Sequence, residues 1–240
     1  MMPSPKSTRF TAICDAPPAR DVLPHGLALP RAHLDARARL RHYRRDKATK
    51  GQDMQLDTVD WATLPAPVDD GGASHLPGLR LPDVTLVTSD GSRVRLTDLR
   101  GTTVIYAYPM TGQPDGALPD GWDDTPGARG CTPQSCAFRD HHAELSALGV
   151  DHLFGLSVQD TAYQAEAASR LHLPYPLLSD HDLALTHQIN LPTMQVDGQT
   201  LLKRCTLICR DGVIVTVNYP VFPPDQDPQT VMTWLADNPA

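Results

Sequence analysis

A short apolar run, Thr-Val-Ile-Tyr-Ala-Tyr at 103–108, stops at Pro109 and is followed by a long stretch, 110–130, rich in Gly, Pro and Asp. The run is too short for a helix and unbroken by charge, so it reads as a strand buried on both faces. Such strands need cover above and below the sheet, which commits the chain to an α/β arrangement. Connections longer than about 12–15 residues without structure of their own are uncommon in compact domains and are often functional. The loop before Cys131 is therefore where chemistry is sought first.

The flanking sequence fills in the layers. Residues 84–87 and 94–96 flank Ser89-Asp90-Gly91, a hairpin turn signal. Phe138, His142, Leu145 and Leu148 recur at helical spacing, so 131–148 reads as one helix ended by Gly149. Residues 153–158 form a second buried strand. Asp160 and Thr161 open another helix, with Thr161 and Gln164 spaced as a capping box. Pro174 and Pro176 interrupt the chain before a helix near 182–189. Residues 201–209 and 213–217 pair around Arg210-Asp211-Gly212, and 230–235 closes the domain as a helix. The expected result is a central sheet with helices on both faces.

Charge divides the chain unevenly. The net charge is −7, but residues 1–50 carry +7 and the remainder −14. An acidic body argues against nucleic acid as the main partner. The basic residues at 31–50 read as a solvated leader in place of a nucleic-acid or membrane contact. Residues 1–53, with few apolar anchors, are expected to be disordered and dispensable for the chemistry. Residues 54–76 are then a lead-in, and 77–240 the folded domain. No apolar run approaches the ~18 residues of a membrane span, and the N-terminus lacks the apolar region of a signal peptide. Five cysteines, an odd and sparse set, point to a reducing, cytoplasmic setting.

Cys131 follows the loop directly and opens a helix, with Pro133 tolerated in the first turn. Backbone N–H groups at such a position favour an anionic sulfur. An ordinary thiol is only about 3% thiolate at pH 7, so complete ionisation raises reactivity at most about 30-fold. Further rate must come from stabilising charge on the substrate, and the site needs an additional fixed cation. Cys136 lies five residues on. In an unbroken helix that separation is a rise of ~7.5 Å and a turn of ~140°, roughly 8–9 Å between Cα atoms. A disulfide needs less than about 7 Å, so bonding the two requires the first turn to unwind. The spacing is not the Cys-x-x-Cys of disulfide exchangers. Cys205 and Cys209 share one face of a strand about 13 Å apart, and read as buried strand cysteines. Cys14 sits in the leader.

Tyr108-Pro109, Thr125-Pro126-Gly127 and the segment Gly130-Cys131-Thr132-Pro133-Gln134-Ser135-Cys136-Ala137-Phe138-Arg139-Asp140 together resemble the active-site region of peroxiredoxins. The similarity is greatest to the Q type, also called bacterioferritin comigratory protein. It continues through Gly155-Leu156-Ser157, Leu173-Pro174-Tyr175-Pro176-Leu177-Leu178-Ser179-Asp180 and Arg204-Cys205-Thr206-Leu207, and covers roughly 77–236. The resemblance implies a thioredoxin-like fold with a central mixed sheet. It implies a peroxidatic Cys131, a resolving Cys136 in the same chain, and Arg204 as the cation beside the thiolate. Reduction of hydrogen peroxide or organic hydroperoxides without metal or organic cofactor follows, with recycling by a thioredoxin-like donor. A monomer or weak homodimer is expected. The family places a proline seven residues and a Thr or Ser three residues before the peroxidatic cysteine; here those positions hold Asp124 and Ala128. Thr125 is the first candidate for the displaced hydroxyl and Thr111 the second. Two rival readings use the same fold. One is a copper or zinc module with Cys131, Cys136 and His141 or His142 as ligands. The other is a catalytically inactive redox or interaction protein.

Overall fold

The computed structural model describes residues 59–113 and 116–239, so the expectations for the leader and for Cys14 lie outside the described residues. In chain order the elements are β1 (Thr85–Thr88), β2 (Arg93–Arg95), β3 (Thr102–Ala107), α1 (Cys131–Asp140), α2 (His142–Ala147), β4 (Val150–Ser157) and α3 (Thr161–Arg170). They continue with β5 (Leu177–Ser179), α4 (Ala184–Ile189), β6 (Thr193–Val196), β7 (Gln199–Leu202), β8 (Cys205–Arg210), β9 (Val213–Asn218) and α5 (Asp227–Asp237). Seven strands join in the order β2-β1-β5-β4-β3-β8-β9, and β6 and β7 make a separate hairpin. The sheet is mixed: β3 runs parallel to β4 and antiparallel to β8.

The run at 103–108 becomes β3, all six residues of which are buried. Its alternation sends successive side chains to opposite faces. Val104 and Tyr106 enter one core with Phe138 of α1, Leu145 of α2 and Leu235 of α5. Ile105 and Ala107 enter the other, with Leu185 and Ile189 of α4. Ala73 and Leu76, from the lead-in, are buried in that second core.

Tyr106 fixes α1 against the sheet. Its ring stacks on Phe138 with centroids 4.3 Å apart. It also lies over Gly155, where a Cβ would stand 2.7 Å from the tyrosine Cζ and 2.6 Å from Leu177 Cδ2, so only glycine fits there. Its hydroxyl donates to Ser135 Oγ (3.1 Å) and meets the Tyr175 hydroxyl (3.0 Å), which donates to the Ser135 carbonyl (2.8 Å). The Leu-Pro-Tyr-Pro segment thus anchors the cysteine helix. The Ser179-Asp180 end of the same motif caps α4, the Asp180 carboxylate accepting from the N–H groups of Leu185 (2.9 Å) and Thr186 (2.8 Å).

Four expectations need correction. The helix expected over 131–148 is two helices meeting at His141, whose φ of −104° and ψ of 11° leave the helical region. The capping box at Thr161 does not form. Asp160 is the cap, accepting from Tyr163 N–H at 2.8 Å, while Gln164 is buried and donates to Ser157 Oγ and the Leu178 carbonyl. The strand expected over 201–209 divides at Lys203 and Arg204 into β7, paired with β6, and β8, paired with β3. The closing helix starts at Asp227, earlier than residue 230.

Candidate active site

Three segments meet at the start of α1. Gly130 precedes it with φ +104°, and a Cβ there would lie 2.5 Å from Pro224 Cγ and 2.9 Å from the Trp61 ring. A left-handed residue with no side chain is therefore required where the loop turns into the helix. Cys131 follows, buried and carrying a free thiol. The break between β7 and β8 delivers the second component. Because Leu202 ends one hairpin and Cys205 starts a strand of the main sheet, Arg204 leaves both ladders and turns inward, 2% exposed.

Arg204 Nη2 stands 3.3 Å from Cys131 Sγ and donates to the Arg129 carbonyl at 3.0 Å. The same nitrogen reaches the carbonyls of Gly127 (3.3 Å) and Ala128 (3.4 Å), and Nη1 donates to Gln134 Oε1. Sγ itself donates weakly to the Ala128 carbonyl at 3.6 Å. Among the described residues no carboxylate forms an ion pair with Arg204. A buried guanidinium faced by neutral carbonyls and a sulfur atom is incompletely compensated, and an anion at that sulfur relieves it.

Behind the arginine lies a relay that sequence reasoning missed. Gln134 Nε2 donates to Asp227 Oδ2 (2.7 Å), which also accepts from Thr206 Oγ1 (2.6 Å), while Asn218 Nδ2 donates to Oδ1 (2.9 Å). Burial pushes the Asp227 carboxyl above the usual carboxylate range; those three hydrogen bonds and the charge of Arg204 oppose it. Three donors directed at one group favour its ionised, acceptor-only form. A signal for Gln134 was present: it stands three residues after Cys131, hence on the same side of the helix. For Asp227 the only cue was Asp-Pro at a helix start.

Neither candidate hydroxyl reaches the thiol, which corrects the expectation for Thr125. Its Oγ1 donates to the Gly121 carbonyl at 2.9 Å, a local contact four residues back. Thr111 is buried, and its hydroxyl donates to Gln159 Oε1 at 3.1 Å. Ala128 is fully buried and presents only its carbonyl. Arg139 pairs with Asp140 and donates to the Leu171 carbonyl, a structural role. His141 faces Gln229 of α5 and His142 stacks on Tyr175. Among the described residues no three His, Cys, Asp or Glu side chains gather as a metal site requires, so the copper or zinc reading lacks a ligand set there. Cys205 and Cys209 are buried in β8, which pushes both thiols up to about 12.

Cys136 packs with Leu171 and Leu173. Cys131 carries a free thiol, so no disulfide joins it to Cys136. Both candidate cysteines lie within the continuous helix α1, so the roughly 8–9 Å expected between their Cα atoms stands, and joining them requires the first turn to open.

The Redoxin family model matches residues 76–233. Among curated relatives, a chloroplastic peroxiredoxin Q of Gentiana triflora is 28% identical over 155 residues, covering 64% of each chain. A putative peroxiredoxin bcp of Coxiella burnetii is 37% identical over 148 residues, covering 58% of this chain and 85% of that one. The chain thus spans a little under two thirds of the gentian protein's length. Among solved structures, peroxidoxin BcpB from Mycobacterium tuberculosis superposes with a TM-score of 0.54 at 25% identity, covering 68% of this chain and 98% of that one. Peroxiredoxin Q of Xanthomonas campestris gives 0.51 at 22% identity over 73% and 97%, a likeness of fold.

Proposed function

Because the chain belongs to the Redoxin family, in its peroxiredoxin Q and bacterioferritin comigratory branch, we propose that it is a thiol peroxidase acting on hydrogen peroxide or organic hydroperoxides. The observation that carries this reading is the buried Arg204 guanidinium 3.3 Å from the free thiol of Cys131. The Cys131 thiolate attacks the distal peroxide oxygen; an S–O bond forms and the O–O bond breaks. Sulfur loses two electrons and becomes a sulfenic acid, and the departing oxygen takes a proton and leaves as water or alcohol. Arg204 and the N–H groups at the start of α1 face the place where that oxygen gains charge, which is where fixed donors lower a barrier most.

In the fully reduced chain Cys136 then attacks the sulfenic sulfur, an S–S bond forms and water leaves. A thioredoxin-like dithiol restores both thiols by exchange, its own pair becoming the disulfide. No metal or organic cofactor enters these steps. A monomer or weak homodimer in a reducing, cytoplasmic compartment is part of this proposal; no described helix is long and apolar enough to cross a membrane.

Cys131→Ser is expected to abolish peroxide consumption, whereas Cys136→Ser keeps the first stoichiometric reduction and loses turnover with a dithiol donor. Oxidation of the wild type lowers the intact mass by two hydrogens, about 2 Da, and peptide mapping finds a Cys131–Cys136 link. Undiminished activity in Cys131→Ser would falsify the peroxidatic assignment; a link from Cys131 to Cys14, Cys205 or Cys209 would overturn the resolving one.

A further inference from the structure

Residues 61–72 precede the part of the chain that the family model matches, yet they lie across the face of the site. Trp61 donates its indole N–H to Asp225 (3.0 Å) and stands edge-on to Phe222, beside Gly130. Pro67 lies against Gly127, within ordinary contact of where a Cβ would be. Asp70 holds the far end: it accepts from Lys203 Nζ, the Tyr219 hydroxyl and the Gly72 N–H. These bonds, led by Lys203, keep its carboxyl well below the usual range. Held at both ends, the segment is a strap.

Beneath the strap is a cavity of about 230 Å³. Pro67, Val68, Pro126, Met194 and Pro220 give it apolar lining, Thr125, Lys203 and Tyr219 add polar groups, and Arg204 and Gly127 also border it. Those last two matter most: Arg204 Nη2 touches both the Gly127 carbonyl and Cys131 Sγ. Arg204 and Gly127 therefore connect the cavity lining to the reacting sulfur. Its volume is well above what hydrogen peroxide needs, yet below the ~300–1,000 Å³ of sites for drug-sized ligands. Val68 is 83% exposed, an apolar side chain kept at the rim by a strap held by the Asp70–Lys203 ion pair and by hydrogen bonds. A lining of proline, valine and methionine, in which Lys203 is paired with Asp70 and Arg204 contacts the sulfur, suits a compact hydrocarbon group with an oxyanion-forming end.

We infer that this cavity seats the organic group of a hydroperoxide, and that Val68 and Pro67 of the strap determine how strongly aryl and branched alkyl hydroperoxides are preferred over hydrogen peroxide. The inference rests on the peroxidase reading and adds a specificity-determining wall to it. Val68 is exposed enough that its replacement leaves the fold intact.

The test is single-turnover oxidation of the prereduced full-length protein, followed by loss of the Cys131 thiol, so that no electron donor is needed. Rate constants are compared for cumene hydroperoxide, tert-butyl hydroperoxide and hydrogen peroxide. Val68→Trp fills the cavity and is expected to lower the ratio of cumene hydroperoxide to hydrogen peroxide rate constants by about tenfold, with a smaller drop for the tert-butyl compound. Val68→Ala shortens the wall and lowers the cumene ratio by two- to threefold. Asp70→Asn loosens the strap and shifts the ratio in the same direction. Ratios within twofold of wild type in both Val68 variants, or an equal fall for all three peroxides, would overturn the inference while leaving the peroxidase reading in place. A wild-type protein that oxidises Cys131 with none of them overturns both.

Discussion

Asp227 offers the sharpest measurement of how the arginine is held. Replacing it with alanine removes the acceptor for Thr206, Gln134 and Asn218. Asn218 is only half-buried and finds water. Thr206 and Gln134 are fully buried, and each orphaned buried donor costs about 1–3 kcal/mol. Relief of the unfavourable burial of the carboxylate offsets part of this, leaving a loss of about 2–4 kcal/mol. At roughly 2–4 °C per kcal/mol for a domain of this size, the melting temperature falls by about 4–16 °C. Asparagine is the control. Its oxygen accepts from Gln134 and Thr206, and Asn218 turns its own amide to suit the new donor, so the loss is below about 1 kcal/mol. Single-turnover oxidation of Cys131 is expected to slow by about tenfold in Asp227→Ala, because Gln134 no longer holds Arg204 at Sγ, and to change little in Asp227→Asn. Thermal denaturation followed by circular dichroism, with stopped-flow oxidation, reads both quantities. Equal losses in the two variants would show that the carboxylate charge, and not the bonding geometry, matters. An alanine variant matching wild type in both readouts refutes the relay.

Arg204→Lys keeps the charge but cannot span Gln134, the loop carbonyls and the sulfur with one planar fork. The oxidation rate with hydrogen peroxide is expected to fall by about 10²–10³, the cost of losing one oxyanion donor, and a fall below threefold would remove Arg204 from the chemistry. Alkaline pH tests the strand cysteines. With both thiols raised to about 12 by burial, the folded chain holds protons that the unfolded chain releases near pH 8.5. Their contribution to stability is complete below that value and is lost as pH rises towards 12. The melting temperature is expected to decline above about pH 9, with a shallower slope in Cys205→Ala, and identical slopes count against the assignment.

What the sequence discloses is whatever local chemistry decides. The buried run at 103–108, the glycine-preceded cysteine at a helix start and the Asp211-Gly212 turn each carry their own signal, and each is found where expected. The break at Lys203-Arg204 carries none. No glycine or proline marks it, and it exists because Leu201–Leu202 find β6 while Cys205–Arg210 find β3. Gln134 and Asp227 lie 93 residues apart and are neighbours only after α5 docks on α1. Thr125 misled for the converse reason: a carbonyl four residues away captured its hydroxyl. The tertiary level decided every point at which a site residue was missed.

The two tyrosines grip α1 at Ser135, immediately before Cys136, and that divides the helix unequally. If Cys131 and Cys136 join as proposed, fraying from Cys131 is expected to run out at Ser135, so the Cys131 sulfur would travel while Cys136 stays beside Leu171. Gln134 is inside the segment that would fray, and it is the side chain that links Arg204 to Asp227. Closing the proposed disulfide would thus draw Gln134 away from the guanidinium, and refolding the turn would restore the contact. On the proposed scheme, peroxide capture and disulfide formation would then exclude one another, with a hinge set by two phenol hydroxyls.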